Sequence, residues 1–146
     1  YLDPNTGERY IPHIVETSGG MDRTLLMLLF DAYEEETLPN GEMRTVLKIH
    51  KDIAAYRAAV FPLVSNKPEI VQKARDIFGT LSNDYKVLWD ARGNIGKRYR
   101  YQDEIGTPFC ITVDYETLEN GTVTVRDRDT MEQKRVKVED LDEALN

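Results

Sequence analysis

Ala58-Ala59-Val60-Phe61-Pro62-Leu63-Val64, then Ser65-Asn66-Lys67-Pro68-Glu69, then Ile70, Ala74, Ile77, Phe78 and Leu81 at helical spacing, decide the fold class. A short apolar run bounded by turn residues reads as a buried strand, and a 3.6-residue apolar repeat after it reads as an amphipathic helix. Asn66 to Glu69 resembles a capping box at the start of that helix. The alternation continues downstream, with strands expected at Tyr85 to Trp89, Thr107 to Val113, Thr122 to Arg128 and Met131 to Val138. A second helix spans Ile95 to Ile105 and ends at Gly106, Glu119-Asn120-Gly121 makes a turn, and a short helix from Glu139 to Leu145 closes the unit. Residues 57–146 therefore predict one α/β domain of about five strands flanked by helices.

Upstream, Leu38-Pro39-Asn40-Gly41-Glu42 is a turn cluster, and Thr45 to Ile49 reads as a connecting strand, which places a linker over residues 37–56. Residues 1–36 form the first unit. Tyr1-Leu2 and Tyr10 to Val15 are strand-like and flank the turn-rich Asp3-Pro4-Asn5-Thr6-Gly7-Glu8, as in a hairpin. Glu16-Thr17-Ser18-Gly19-Gly20-Met21-Asp22-Arg23 then leads into a helix expected from Arg23 to about Glu36, apolar on nearly every side through Phe30. Such a helix is internal to a larger body. Arg23 opposes the macrodipole at the helix start. Either it pairs with Asp22 or Glu16, or it shares a bound anion with the helix N–H groups. Strand alternation would put Glu16 and Ser18 on one face, toward the space that Arg23 borders.

Composition sets bounds. The 146 residues carry a net charge of −7, which argues against nonspecific nucleic-acid binding. One cysteine, Cys110 in an apolar run, excludes an intramolecular disulfide framework and reads as a small buried hydrophobe. His13 and His50 lack partners at metal-ligand spacing, so no metal site is expected. No signal peptide or membrane span is recognisable, so a cytoplasmic location and no membrane partner are expected. The start at Tyr1 without an initiator methionine predicts a fragment.

Charge is unevenly spread. Glu34-Glu35-Glu36 and Glu139 to Glu143 read as solvated acidic faces. Arg92, Lys97, Arg98 and Arg100, interleaved with Tyr99 and Tyr101, form a stretch that is either an RNA contact or a solvated helix face. On the fourth strand Val123 and Val125 face one side, while Thr124, Arg126 and Arg128 face the other. That polar face could grip unstacked bases, or Arg126 and Arg128 could pair with Glu132 or Asp114.

Two resemblances follow from these residues. Tyr10-Ile11-Pro12-His13-Ile14-Val15-Glu16 through Arg23 resembles motif 3 of class II aminoacyl-tRNA synthetases in its glycyl version, departing from it at Thr17 and Gly19. Gly93 through Cys110 and Gly121 through Gln133 resemble the anticodon-binding domain of the glycyl-tRNA synthetase family. The resemblance covers essentially the whole chain. It implies a mixed-sheet anticodon-binding domain over residues 57–146, preceded over 1–36 by the terminal strand-helix part of an antiparallel catalytic domain.

By that resemblance Arg23 contacts ATP and serves catalysis, Glu16 and Ser18 hold glycine, and Glu116, Arg126, Arg128, Arg98 and Arg100 are candidates for tRNA and anticodon contact. The implied parent enzyme is a glycine-tRNA ligase, a homodimer that uses ATP and Mg2+ to make glycyl-adenylate and transfers glycine to tRNA(Gly), with no role for DNA. Motifs 1 and 2 are absent here, so the fragment alone is expected to be inactive. A non-catalytic synthetase-like accessory subunit and a stand-alone RNA-binding module are the alternatives.

Overall fold

The computed structural model describes Tyr1–Asn146. Its elements run α1 (Met21–Ala32), β1 (Tyr33–Thr37), β2 (Met43–Leu47), β3 (Ala58–Pro62), α2 (Pro68–Leu81), β4 (Val87–Trp89), α3 (Ile95–Ile105), β5 (Phe109–Val113), α4 (Tyr115–Asn120), β6 (Thr122–Asp127) and β7 (Gln133–Lys137), with a 3-10 turn leading into α5 (Leu141–Leu145). The five strands β3 to β7 form one mixed sheet in the order β4-β3-β5-β6-β7. β3 pairs parallel with β4 and β5, and β5, β6 and β7 pair antiparallel.

Both faces of this sheet are covered, which is why β3 reads as an unbroken apolar run. All five of its residues are buried. Ala58 and Val60 join Ile111, Val113, Val123 and Val125 against Ile70, Ala74, Ile77 and Leu81 of α2 and Leu141 and Leu145 of α5. Ala59, Phe61 and Cys110 face the other way, toward Ile95 and Tyr99 of α3. Burial pushes the Cys110 thiol up to about 12, in keeping with its reading as a packed hydrophobe.

Helix ends differ in how they are fixed. α2 starts at Pro68, whose set φ suits a first helical turn, with Lys67 before it and no side-chain cap. The capping box expected at Asn66 is therefore corrected: the residue at the cap position is a lysine. α3 is capped by Asn94, whose side chain accepts from the Lys97 N–H at 2.9 Å. It ends at Gly106 with φ +80°, where an added Cβ would lie 2.9 Å from the Leu47 carbonyl oxygen. Glycine there serves both the left-handed turn and the close passage of β2. Asp114 and Thr117 form a reciprocal capping box that starts α4, an element absent from the sequence reading.

The first 36 residues depart most from expectation. The expected turn does close, with the Leu2 to Arg9 bridge flanked by backbone bonds between Asp3 and Glu8 and between Tyr1 and Tyr10, but Tyr10 to Gly20 form no strand. The helix stops at Ala32, and Tyr33–Thr37 form a hairpin with β2 instead of continuing it. Cross-strand charge explains the switch: Lys48 bonds Glu34 and Glu36 at 2.7 and 2.8 Å, and Arg44 bonds Glu36 at 2.7 Å. α1 leaves Met21, Leu25, Met27 and Phe30 exposed in this chain. No helix is long and apolar enough to cross a membrane.

Candidate nucleic-acid interface

Parallel pairing delivers the carboxyl ends of β3, β4 and β5 to one edge of the sheet, the usual location of ligand sites in sheets of this kind. The chain leaves that edge through three segments, Leu63 to Ser65, Asp90 to Gly93 and Asp114 to Glu116. Ser65 Oγ donates to the Ala91 carbonyl at 2.5 Å, tying the first exit to the second. Arg98, reaching up from α3, donates to the carbonyls of Pro62 at 2.6 Å and Gly93 at 3.1 Å. One guanidinium thus fixes both loops, and burial depresses its pKa.

The outer surface of this edge is cationic and aromatic. The Arg92 side chain is 91% exposed, Tyr101 and Tyr115 are about half exposed, and Lys97 is exposed on the first turn of α3. Exposed tyrosines and cations on a fixed scaffold can stack unpaired bases and neutralise phosphates. Beside them Asp114 accepts two bonds from Arg135, at 2.6 and 3.1 Å, and Arg135 also pairs with Glu116 at 2.8 Å. Although burial works against its charge, Arg135 and Thr117 hold the Asp114 carboxyl below the usual range.

The residues expected to meet tRNA fall into two groups. Glu116 is exposed at the carboxyl edge, and Arg100 is exposed but bonded to Glu42 of the hairpin turn at 2.9 Å. Arg98, Arg126 and Arg128 are buried, at 3%, 6% and 4% exposure. The expected polar surface with two adjacent guanidinium groups is corrected, because α3 and the β1–β2 hairpin cover it. Arg126 grips Asp103 of α3 with bonds of 2.8 and 3.0 Å and lies 5.0 Å from the Tyr99 ring centroid. Burial opposes its charge, but the paired Asp103 carboxylate raises its pKa on balance. Arg128 bonds Asp129 and the carbonyls of Ile49 and Gly106. Neither pairs with Glu132 or Asp114.

Arg44 was missed by sequence reading and is central to this buried network. It bonds Asp103 at 2.9 Å, Glu36 at 2.7 Å and the Arg128 carbonyl, so it locks the hairpin onto α3. The signal was there in β2, where Arg44 alternates with Val46 on the buried face. Asp90 was missed too, although it directly follows a parallel strand. In the first unit Glu16, Ser18 and Arg23 are all exposed, and no hydrogen bond joins them. Arg23 makes no ion pair with Asp22 or Glu16. The expected shared strand face is corrected, because residues 10–20 have no strand alternation. No group of three or more His, Cys, Asp or Glu residues gathers to hold a metal ion, so no step is assigned to Mg2+ on this chain.

Comparison with known proteins agrees with this architecture. Residues 57–146 match the family described as "Anticodon binding domain". A "Glycine--tRNA ligase" of Borreliella afzelii is 53% identical over 141 residues, 97% of this chain and 32% of that protein. Proteins of the same name from Clostridium acetobutylicum and Clostridium perfringens are 51% and 52% identical over 145 residues, covering 99% and 97% of this chain and 31% and 30% of their own lengths. The chain thus spans about a third of the length of the curated relatives it matches. With more than half of its residues inside the matched domain, it belongs to the anticodon-binding-domain family.

Proposed function

We propose that this chain is the tRNA-binding part of a glycine-tRNA ligase and that it holds the anticodon arm of tRNA(Gly) on the carboxyl edge of its sheet. The observation that carries this reading is the exposed Arg92, Lys97, Tyr101 and Tyr115 on loops that Arg98 and Ser65 tie in place. Phosphates would sit on the cations and loop bases against the tyrosines, the division of labour usual for single-stranded RNA. The buried arginines keep the scaffold rigid beneath. A chain with net charge −7 repels RNA elsewhere, which favours docking at this one edge.

In the parent enzyme the first 36 residues contribute to glycine activation. Arg23 orients ATP and stabilises charge on its phosphates, Glu16 accepts hydrogen bonds from the glycine ammonium, and Ser18 helps hold the substrate. The parent works as a cytoplasmic homodimer and takes Mg2+ with ATP. Two measurements test the reading. The 146-residue chain is expected to bind tRNA(Gly), with tRNA binding perturbing Arg92, Lys97 and Tyr101 resonances; perturbation confined to the opposite sheet edge would contradict it. In the full-length protein, Arg23→Ala is expected to lower glycine-dependent pyrophosphate exchange at least tenfold while leaving tRNA affinity unchanged, and unchanged exchange would sink the ATP role.

A further inference from the structure

The β1–β2 hairpin stands between the two units and is bonded to each. α1 runs into β1 without a connecting residue, ending at Ala32 where β1 begins at Tyr33. Ala32 is buried, and its carbonyl accepts from the Lys48 N–H at 2.6 Å, just beyond β2. On its other side the hairpin is anchored to the anticodon-binding domain at both ends of β2. Near the start, buried Arg44 donates from Nε to Asp103 of α3 at 2.9 Å and from Nη2 to the Arg128 carbonyl just after β6. Past the end, the Ile49 carbonyl accepts from Arg128 Nη1 at 2.9 Å. Between these anchors the Leu47 carbonyl oxygen lies where a Cβ on Gly106 would come within 2.9 Å of it. One anchor would let the hairpin pivot, whereas two anchors and a steric stop hold its angle.

Asp103, Arg44, Arg126 and Arg128 are all buried in this junction, and Glu36 completes the cluster beside Arg44. Burying ion pairs is expensive, and apolar residues of equal volume often hold two elements together as well or better. What a guanidinium network adds is direction, because its planar fork meets its acceptors in one geometry and so gives the hairpin one seat. The consequence reaches α1. From Ala32 back to Arg23 the helix extends about 13 Å, so a tilt of roughly 10° at the hairpin would move Arg23 by about 2 Å against the carboxyl edge of the sheet. Misplacing reacting groups by about 1 Å can cost about 100-fold in rate.

We propose that Arg44 is a positioning residue of the ligase reaction: by seating the hairpin on Asp103 it sets the angle between α1 and the anticodon-binding domain, so that tRNA held by that domain presents its acceptor end to the glycine-activating unit. This rests on the ligase reading above and adds to it a residue that touches neither substrate nor RNA. Activation of glycine by ATP involves no tRNA and does not depend on the angle. Transfer of glycine needs both ends of the tRNA engaged at once, so Arg44 acts on the second step alone.

The test compares the two steps in the full-length protein carrying Arg44→Met, with circular dichroism reporting the fold. Glycine-dependent pyrophosphate exchange is expected to stay within twofold, while kcat/KM for tRNA(Gly) glycylation falls tenfold or more. In the 146-residue chain, affinity for an anticodon stem-loop of tRNA(Gly) should stay within twofold. Spin labels at Met27→Cys on exposed α1 and Glu119→Cys on exposed α4 should give one narrow distance in that chain, broadened by Arg44→Met. If Arg44→Met does not fold, Glu36→Gln takes its place: it removes the charge that Arg44 Nη1 meets, and should lower glycylation at least threefold with exchange unchanged. The inference is overturned if the folded variant glycylates as well as the wild type, if exchange or stem-loop affinity falls in the same proportion as glycylation, or if the label distance stays narrow. A wild-type protein that neither exchanges pyrophosphate nor glycylates tRNA would instead remove the ligase reading on which the inference stands.

Discussion

Replacing Arg126 by Met separates a structural arginine from one that reads RNA. The guanidinium is 6% exposed and makes two bonds to Asp103, itself 3% exposed, while Arg44 holds the same carboxylate from the hairpin side. Breaking a buried ion pair by removing one partner typically costs about 3–5 kcal/mol. Arg44 still partners Asp103 after Arg126→Met, so the lower end, about 3 kcal/mol, applies to this variant. Asp103→Leu strands Arg126 and takes one of two carboxylate partners from Arg44, which keeps Glu36, so it should cost the upper end, about 5 kcal/mol. Domains of this size are stable by roughly 5–15 kcal/mol, so either change is a large fraction of the total. Because both variants break the same pair, the double variant should cost clearly less than their sum. Urea unfolding of the 146-residue chain measures all three. A loss below about 1 kcal/mol for Arg126→Met, joined to a tenfold loss of tRNA affinity in folded protein, would refute the structural assignment and restore the arginine to the RNA surface.

Other expectations follow from single positions. Gly106→Ala forces a Cβ to within 2.9 Å of the Leu47 carbonyl oxygen at φ +80°, and should cost at least about 1–3 kcal/mol in thermal or urea unfolding; a neutral variant would contradict the close passage of β2. Glu36, Asp114 and Asp129 all have pKa values below the ordinary carboxylate range, through Lys48 for Glu36, through Arg135 against the opposing effect of burial for Asp114, and through Arg128 for Asp129. Depressed carboxylates stabilise the fold above their unfolded pKa of about 4 and lose that contribution as pH falls through the folded value. The urea midpoint should therefore drop between pH 5 and lower pH, by less in Asp114→Asn than in the parent sequence, and equal drops would remove Asp114 from this account.

The sheet was legible because its code is local. Ala58 to Phe61 is apolar at every position, as a strand covered on both faces must be, and Ile70 to Leu81 repeats at helical spacing. Tyr33 to Thr37 was not legible, because three consecutive glutamates favour a helix in isolation and only the later Arg44 and Lys48 give them partners across a hairpin. The alternation of β6 correctly separated Val123 and Val125 from Arg126. It could not reveal that Asp103, from a helix 23 residues earlier, would meet that arginine and seal it. For the same reason Arg98 looked ordinary in the sequence, and only the approach of two strand exits showed that it ties them together.

Salt dependence tests most directly whether the carboxyl edge holds RNA. Each phosphate contact to a single-stranded segment contributes about 0.7 to the slope of log affinity against log salt. Removing Arg92 and Lys97 together should weaken tRNA(Gly) binding and make that slope shallower by about 1.4, whereas folded Arg126→Met should leave the slope unchanged. A slope that stays the same in Arg92→Ala/Lys97→Ala would place the RNA elsewhere on the protein and contradict the account.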